Sequence, residues 1–188
     1  MLVVVGGPCR NVGKTAVVVG LIQALPQAGW TAVKITPHHY GAGSPPAPYH
    51  LERQTEVDAT DTGRFLAAGA ARSYLLSLAG GNLRSLIAPL RVLLGASDHA
   101  IVETTRALDF LVPDLYLAVI HPGVDDVKES WLRHVDRVTA CVVHDVEPTE
   151  RWRRWLAGPL AGKPRFSIRP PCYVCEDLIR FVASRCGF

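Results

Sequence analysis

The sequence predicts an α/β protein with a doubly wound, mostly parallel sheet flanked by helices. Two observations carry this prediction. Short apolar runs recur along the chain, and segments with helical composition separate most of them. Strands that are buried on both faces by crossover helices show such runs, because neither face meets water. The 188 residues suffice for a buried core, and we expect one domain over residues 1–188.

The predicted elements follow each other in a regular order. The predicted strands cover residues 2–5, 30–36, 99–102, 115–120, 138–143 and 165–168. The predicted helices cover residues 14–25, 61–78, 82–94, 127–134, 149–157 and 173–184. Thr60 or Asp61 suits the N-cap of the helix at 61–78, and Gly80 and Gly81 suit its end. Residues 37–58, rich in Pro, Gly, Ser and His, are predicted to form a long connection that covers a site.

Composition and charge exclude several classes of protein. Apolar residues make up 48% of the chain and charged residues 20%, with a net charge of +3 and no block of like charge. Neither a nucleic-acid partner nor a membrane partner is predicted from so small a charge. The N-terminal apolar run is short and lacks a basic leader, so it predicts a strand and not a signal peptide. Five cysteines do not fit a disulfide-framed secreted domain, which predicts a cytoplasmic protein.

The segment GPCRNVGKT, residues 7–15, lies between the first predicted strand and the first predicted helix. A glycine-rich turn that enters a helix directs several N–H groups at one point, which suits a phosphate chain. Lys14 would reach the β and γ phosphates, and the Thr15 hydroxyl would bind Mg²⁺. The candidate nucleotide-binding residues of this phosphate loop are Gly7, Cys9, Arg10, Asn11, Val12, Gly13, Lys14, Thr15 and Ala16.

The spacing of this loop departs from the common P-loop motif. Five residues separate Gly7 from Gly13, where the common motif has four between its glycines. The alternative is a glycine-rich turn that binds nothing. The order of strand, loop, GKT and helix disfavours that alternative and predicts a P-loop NTPase fold.

Two charged residues interrupt or end predicted buried strands. Lys34 lies within the apolar strand at 30–36, and Glu103 follows the strand at 99–102. A carboxylate at a buried strand end is costly without a cation, so Glu103 is predicted near Mg²⁺ or Lys14. The carboxyl ends of parallel strands are also where a second metal ligand is expected.

Several motifs in order along residues 1–120 resemble the molybdopterin-guanine dinucleotide biosynthesis protein B family, the MobB-like P-loop NTPases. They are G-K-T at 13–15, V-K-I at 33–35, H-H at 38–39, D-T-G-R at 61–64 and A-G-A at 68–70. That family has V-I-K-H-x-H-H after its second strand and D-T-x-R-x-x-x-A-G-A in a following helix. The longer loop that ends in VGKT also resembles dethiobiotin synthetases.

The MobB-like resemblance implies a function and a set of roles. It implies Mg²⁺-dependent GTP binding with weak hydrolysis, as an accessory to molybdenum-cofactor biosynthesis together with a partner protein of that process, and a homodimer. Lys14, Asp61 and Glu103 would be the catalytic residues, and Thr15, Asp61 and Glu103 the metal ligands. Arg64 would lie near the γ-phosphate or on the dimer surface.

The chain also departs from that family, which keeps other functions open. Thr104 stands where the family has a glycine after the acid, and T-P-H-H follows Ile35. Lys34 and Glu103 match the dethiobiotin synthetases equally, and that resemblance implies ATP and a synthetase or kinase reaction. The glycine-rich run after their glutamate is missing here. A nucleotide-gated interaction module without useful turnover is the third alternative.

Recognition of the base is the weakest part of the pattern. GTPases place N-K-x-D after a late strand, and here residues 144–147 read H-D-V-E. Glu147 can accept two hydrogen bonds from a guanine edge, and an ordinary solvated loop is the alternative. The preference for GTP over ATP therefore rests on the resemblance.

Three further clusters have ordinary interpretations. His38, His39 and His50 are predicted to belong to a polar lid in preference to a metal site. Cys172 and Cys175 form one C-x-x-C and are predicted to be structural thiols, with a zinc site shared across a dimer as the alternative. Two tryptophans three residues apart, at 152 and 155, share a helix face and are predicted to pack on the sheet or on a partner subunit.

Overall fold

The central sheet runs through the molecule and is covered by helices on both faces. In the computed structural model, residues 1–36, 49–78 and 83–188 are described. Their strands are β1 (Leu2–Gly6), β2 (Thr31–Thr36), β3 (Tyr49–Gln54), β4 (Arg72–Leu78), β5 (Ala100–Glu103), β6 (Leu115–Ile120), β7 (Ala140–His144) and β8 (Arg165–Ile168). Their α-helices are α1 (Lys14–Ala24), α2 (Asp61–Ala67), α3 (Ile87–Gly95), α4 (Glu129–Leu132), α5 (Glu150–Ala157) and α6 (Glu176–Cys186).

The strand order is β3-β4-β2-β5-β1-β6-β7-β8. The pairing of β3 with β4 is antiparallel, and the other pairs are parallel. The prediction of a doubly wound, mostly parallel sheet is confirmed. The order also places β5 and β2 on one side of β1 and β6 to β8 on the other, so the carboxyl end of β1 lies at the point where the winding reverses.

Two apolar clusters, one on each face of the sheet, form the core. Alternate residues of β1 show the division, since Val3 and Val5 belong to one cluster and Val4 to the other. The first cluster includes residues of α1, α2 and α6, and the second includes residues of α3, α4 and α5. In the described parts of the chain, no helix has the length and apolar character needed to cross a membrane.

The two tryptophans of α5 pack in the second cluster, as the sequence predicts. Their partner is Trp131 of α4, whose ring stacks on that of Trp155 at 5.0 Å between centroids and lies 5.8 Å from that of Trp152. The indole N–H of Trp152 donates to the carbonyl of Val124 at 2.7 Å. These contacts occupy Trp152 in the core, which excludes it as a stacking surface for nucleic acid.

The prediction of one helix over residues 61–78 is wrong in its second half. Helix α2 is seven residues long, and β4 follows within the predicted helical span. Gly69 has a φ of 100°, a conformation that ends a helix and that side chains rarely adopt. Thr60 is the N-cap and accepts from the Gly63 N–H at 3.0 Å, which confirms the predicted start. The predicted end at Gly80 and Gly81 lies outside the described residues.

The long connection predicted over residues 37–58 contains a strand in its described part. Strand β3 pairs with β4 at the edge of the sheet. Its sequence, YHLERQ, is largely polar and exposed, because an antiparallel edge strand need not be buried on both faces. The prediction of a connection without regular structure is wrong for residues 49–54, and residues 37–48 lie outside the description.

Two other predicted helices are shorter in the structure. Within residues 82–94, a 3₁₀ turn at Leu83–Leu86 precedes α3. Pro89 lacks an N–H and fits without loss in the first turn of a helix, which is where the start of α3 places it. Within residues 127–134, one helical turn, α4, precedes a 3₁₀ turn at Val135–Arg137.

The role of Gly69 in ending helix α2 can be tested by substitution. A Cβ at Gly69 or at Gly95 would meet no atom within 4 Å, but Gly69 alone of the two has a positive φ. We therefore expect Gly69→Ala to lower the free energy of unfolding by about 1 kcal/mol through backbone strain. Gly95→Ala, at the end of α3, should leave it unchanged or raise it slightly. Urea unfolding of both variants checks this, and equal effects would contradict it.

Candidate nucleotide-binding site

The phosphate loop joins the end of β1 to the start of α1. Gly13 is the N-cap of α1 with φ 88°, in the left-handed region that favours glycine. Gly7 is required for a different reason, since an added Cβ would lie 2.5 Å from the Val119 carbonyl oxygen of β6. The Nζ of Lys14 donates to the Cys9 carbonyl at 2.7 Å, so the lysine side chain folds over the loop.

A cavity of about 630 Å³ lies against this loop. Six basic side chains and two carboxylates line it, an excess of four positive charges, whereas the whole sequence carries +3. The charged lining residues are Arg10, Lys14, Lys34, Arg64, Arg106, Lys128, Asp61 and Glu103. Such a concentration of like charge favours a polyanion, because an anion relieves the repulsion among the cations.

Glu103 is the buried centre of the site, with 3% of its surface exposed. The parallel register aligns Val5 of β1, Glu103 of β5 and Lys34 of β2 in one row on the face that α1 and α2 cover. The hydroxyl of Thr15 donates to Glu103 Oε2 at 2.8 Å, and the Lys34 ammonium contacts Glu103 Oε1. The sequence predicted Glu103 near Mg²⁺ or Lys14, and its charge does act on Lys14, but the cation in direct contact with it is Lys34.

Lys34 also links the sheet to α2. Its Nζ lies 2.9 Å from Asp61 Oδ2, and Asp61 Oδ1 lies 3.8 Å from Arg64. Burial by itself lowers the pKa of Lys34, but Glu103 and Asp61 raise that pKa more strongly, and the result is above the usual range. Lys34 is therefore a fixed cation at neutral pH.

Two other cations of the cavity have a net pKa shift in the opposite direction to that of Lys34. Burial lowers the pKa of Lys14, although Glu103 partly opposes this, and it lowers the pKa of Lys128 together with the nearby charge of Arg10. Burial also raises the pKa of the Cys9 thiol, which disfavours a reactive thiolate in the loop. Burial, the main cause of both lysine shifts, disfavours the charged ammonium, and a bound anion would favour it again.

The residues present fit a magnesium ion bound together with a phosphate chain. Mg²⁺ keeps several waters and takes one or two protein oxygens plus substrate phosphate oxygens. The Thr15 hydroxyl and the Glu103 carboxylate, in contact beside the loop, are such a pair. Asp61 pairs with Lys34, and its role as a further metal ligand stays a prediction. In the described chain no group of three or more His, Cys, Asp or Glu residues is arranged to hold a metal by itself.

The structure brings many of the predicted site residues together. Arg10, Asn11, Gly13, Lys14, Thr15, Ala16, Lys34, Asp61 and Glu103 all line the cavity. Cys9 and Val12 are buried in the core cluster on that face and shape the loop from behind. The Val12 carbonyl accepts a hydrogen bond from His144 Nε2 at 3.0 Å, which ties the loop to the end of β7.

Glu147 does not join the cavity. Its side chain is 82% exposed and pairs with Arg153 of α5. The solvated-loop alternative for residues 144–147 describes Glu147 best. A carboxylate in water and paired with an arginine contributes little to binding of a base.

The structure also locates His50 and the two cysteines of the C-x-x-C motif. His50 lies on β3 within 3.4 Å of Glu52, and His38 and His39 fall outside the described residues. Cys175 is the N-cap of α6, and Cys172 precedes it in a turn. Both thiols are free.

Sequence reasoning missed several residues of the site, and three of them contact the phosphate loop. Thr105 follows β5, and its hydroxyl accepts from the Gly7 N–H at 3.2 Å. The segment after β6 reaches the loop, where the Lys128 N–H donates to the Pro8 carbonyl at 2.9 Å. Tyr173, after β8, lies on Gly13. Thr105 was detectable, since it follows Glu103 by two positions, but Lys128 and Tyr173 are more than 110 residues from the loop and carry no local signal.

The strand order and the phosphate loop together define a P-loop NTPase fold, and a cationic cavity lies at the loop.

No protein-family model matches the sequence, and no curated protein matches it by sequence. Solved structures are similar in fold. HypB from Helicobacter pylori in complex with nickel has a TM-score of 0.54 at 13% identity, over 98% of this chain and 86% of that chain. Hydrogenase maturation factor HypB from Archaeoglobus fulgidus has a TM-score of 0.59 at 12% identity, over 99% and 90%.

The pair of Lys34 and Glu103 yields a test by double substitution. Lys34→Met leaves the buried Glu103 carboxylate without its cation, so we expect the free energy of unfolding to fall by about 2 kcal/mol, less than for a fully buried pair. Lys34→Met with Glu103→Gln should recover part of that loss. Urea unfolding provides the values, and Arg91→Met, at an exposed position of α3, serves as a control within about 0.5 kcal/mol of wild type. Strictly additive effects would show that the pair is not coupled.

Proposed function

We propose that this chain is a Mg²⁺-dependent nucleoside triphosphate-binding protein, with GTP as the expected nucleotide and with weak hydrolysis. We further propose that it acts as an accessory protein in metal-cofactor maturation, specifically in the formation of molybdopterin guanine dinucleotide. The observation that carries the nucleotide proposal is the cationic cavity against the phosphate loop. It gathers four excess positive charges where loop, helix α1 and a buried carboxylate meet.

The loop and its lysine would bind the phosphate chain. Lys14 rests on the Cys9 carbonyl, a weaker partner than a phosphate, so its ammonium can turn to the β and γ phosphates. The N–H groups around Gly13 at the start of α1 would add donors from a fixed backbone. Mg²⁺, held by Thr15 and Glu103, would neutralise charge on the phosphate oxygens.

The carboxylates support slow hydrolysis in preference to fast turnover. Among the described residues that line the cavity, the acids are Asp61 and Glu103, and both pair with Lys34. A carboxylate held by an ammonium is a poor base, because its charge is already stabilised. Catalysis would then consist of positioning and electrostatic stabilisation, and a partner protein would supply what the site lacks.

Two independent similarities support the accessory role. The motifs along residues 1–120 resemble a family of molybdopterin guanine dinucleotide biosynthesis. One similar structure is named as a hydrogenase maturation factor and another holds nickel. Both point to assembly of metal-containing cofactors. Molybdenum is the expected metal because the MobB-like similarity rests on residues of the site itself, namely Lys14, Lys34 and Asp61.

An ATP-dependent synthetase or kinase is the second candidate, and one observation favours it. A second cavity of about 740 Å³ lies over β3 and the start of α2, and Lys34, Thr36 and Asp61 line both cavities. A second substrate bound there would meet the γ-phosphate end of the nucleotide at Lys34. This is the arrangement that transfer of a phosphoryl group needs.

Substitution of the loop tests nucleotide binding. Lys14→Met removes the phosphate cation, and we expect affinity for GTP to fall about a hundredfold. Thr15→Val keeps the shape but removes the hydroxyl, so the gain in affinity that Mg²⁺ gives should fall about tenfold. Titration calorimetry with GTP and ATP, with and without Mg²⁺, measures both. Wild-type protein that binds neither nucleotide would refute the proposal, and a clear preference for ATP would favour the second candidate.

Disruption of the gene tests the accessory role. We expect the activity of a molybdenum-dependent enzyme in the same cells to fall, and wild-type protein but not Lys14→Met to restore it. Nickel-hydrogenase activity, measured alongside, serves as the control. A loss confined to the hydrogenase would contradict the molybdenum assignment and move the role to nickel.

A further inference from the structure

We propose that Tyr173 holds the nucleoside part of the bound nucleotide through its aromatic ring. This inference rests on the proposed nucleotide site and assigns the end of it that the phosphates do not occupy. The phenol ring belongs to the segment between β8 and α6 and lines the same cavity as Lys14 and Thr15.

The ring of Tyr173 is placed against the phosphate loop itself. A Cβ added to Gly13 would lie 2.4 Å from Cε1 of the ring, so the glycine is required for the ring to lie where it does. The next residue, Val174, packs in the same way on Gly20 of α1, at 2.7 Å from an added Cβ. Two glycines of α1 and its cap thus receive the segment, which fixes the ring beside the loop.

A layer of rings supports Tyr173 from the sheet. Its ring meets the His144 imidazole edge to face at 6.0 Å between centroids, and His144 lies 4.8 Å from the His121 ring. His121 follows β6 and His144 ends β7. His144 also donates to the Val12 carbonyl, so the ring layer and the phosphate loop form one connected unit.

The two sides of the cavity differ in chemistry. On the side of β5 and β2, the lining is charged, with Lys34, Asp61 and Glu103. On the side of β6 to β8, the segment after β6 contributes Lys128, and the segment after β8 contributes the aromatic ring of Tyr173. Phosphates held at Lys14 leave the rest of a nucleotide to extend to one of these sides. An aromatic face suits a sugar or base, whereas an ion-paired side does not.

The mode of contact has a consequence for specificity. Glu147 points into solvent and pairs with Arg153, so it offers no carboxylate to a guanine edge in this structure. A ring contact uses the π-face or the apolar surface that guanine and adenine nucleosides share. Loss of the Tyr173 ring should therefore weaken GTP and ATP by a similar factor.

The test compares nucleotides with inorganic tripolyphosphate, which has the phosphate chain and no nucleoside. With Mg²⁺ present, we expect Tyr173→Ala to bind GTP and ATP each about tenfold more weakly than wild type. Its affinity for tripolyphosphate should stay unchanged. Tyr173→Phe, which keeps the ring, should bind all three ligands like wild type. Phe188→Ala, which removes an exposed aromatic ring outside the cavity, is the matched control.

The outcomes separate this inference from the nucleotide proposal. Wild type that binds GTP, beside a folded Tyr173→Ala variant that binds it equally well, would overturn the role of Tyr173 and leave the proposed function standing. An equal loss for tripolyphosphate would also overturn it, since the ring would then act by shaping the loop. Wild type that binds no nucleotide would refute both. Thermal unfolding of each variant establishes that it is folded. If the alanine variant is not, Tyr173→Leu carries the test, since it removes the ring and keeps much of the apolar bulk, and the same selective loss of GTP and ATP is expected of it.

Discussion

The buried carboxylate of Glu103 is the interaction around which the site is built. Burial of a charge costs several kcal/mol unless hydrogen bonds and an opposite charge offset it. Here the Thr15 hydroxyl and the Lys34 ammonium do so, one from the start of α1 and one from β2. Glu103 therefore joins the phosphate loop to the sheet, and Lys34 extends that connection to Asp61 of α2. Four elements, β5, α1, β2 and α2, are thus joined through Glu103 and Lys34.

The strand order places different kinds of residue on the two sides of the site. Because β1 lies between β5 and β6, the loop after β1 faces the ion-paired Lys34, Asp61 and Glu103 on one side, and Lys128 and the ring layer on the other. The same loop is tied to both, through Thr105 at the end of β5 and His144 at the end of β7. A ligand with a charged chain and an aromatic end matches this asymmetry. The proposed binding of a nucleoside triphosphate thus follows from topology as much as from the loop motif.

Much of the fold was predictable because parallel strands that are buried on both faces appear in the sequence as short apolar runs. Strands β6 and β8 have the predicted bounds, and the fold class is confirmed. The two failures have different causes. Strand β3 is polar because it lies at the edge, and β4 shares a span with α2 because a positive φ at Gly69 ends the helix early. An apolar run after a short helix has the same composition whether it continues as helix or pairs as strand, and pairing depends on a distant partner.

By itself the sequence determined the phosphate loop, the helix that follows it, and two charged residues of buried strands, Lys34 within β2 and Glu103 at the end of β5. Their chemistry is local: a glycine-rich turn, a lysine, a hydroxyl and a carboxylate in or beside apolar strands. Tertiary structure alone decided that Lys34 is the partner of Glu103, that Glu147 lies in solvent, and that Lys128 and Tyr173 reach the loop. The reason is physical: these contacts arise from sheet register and strand order, which bring together residues that are far apart in the chain. No single segment of the sequence determines them.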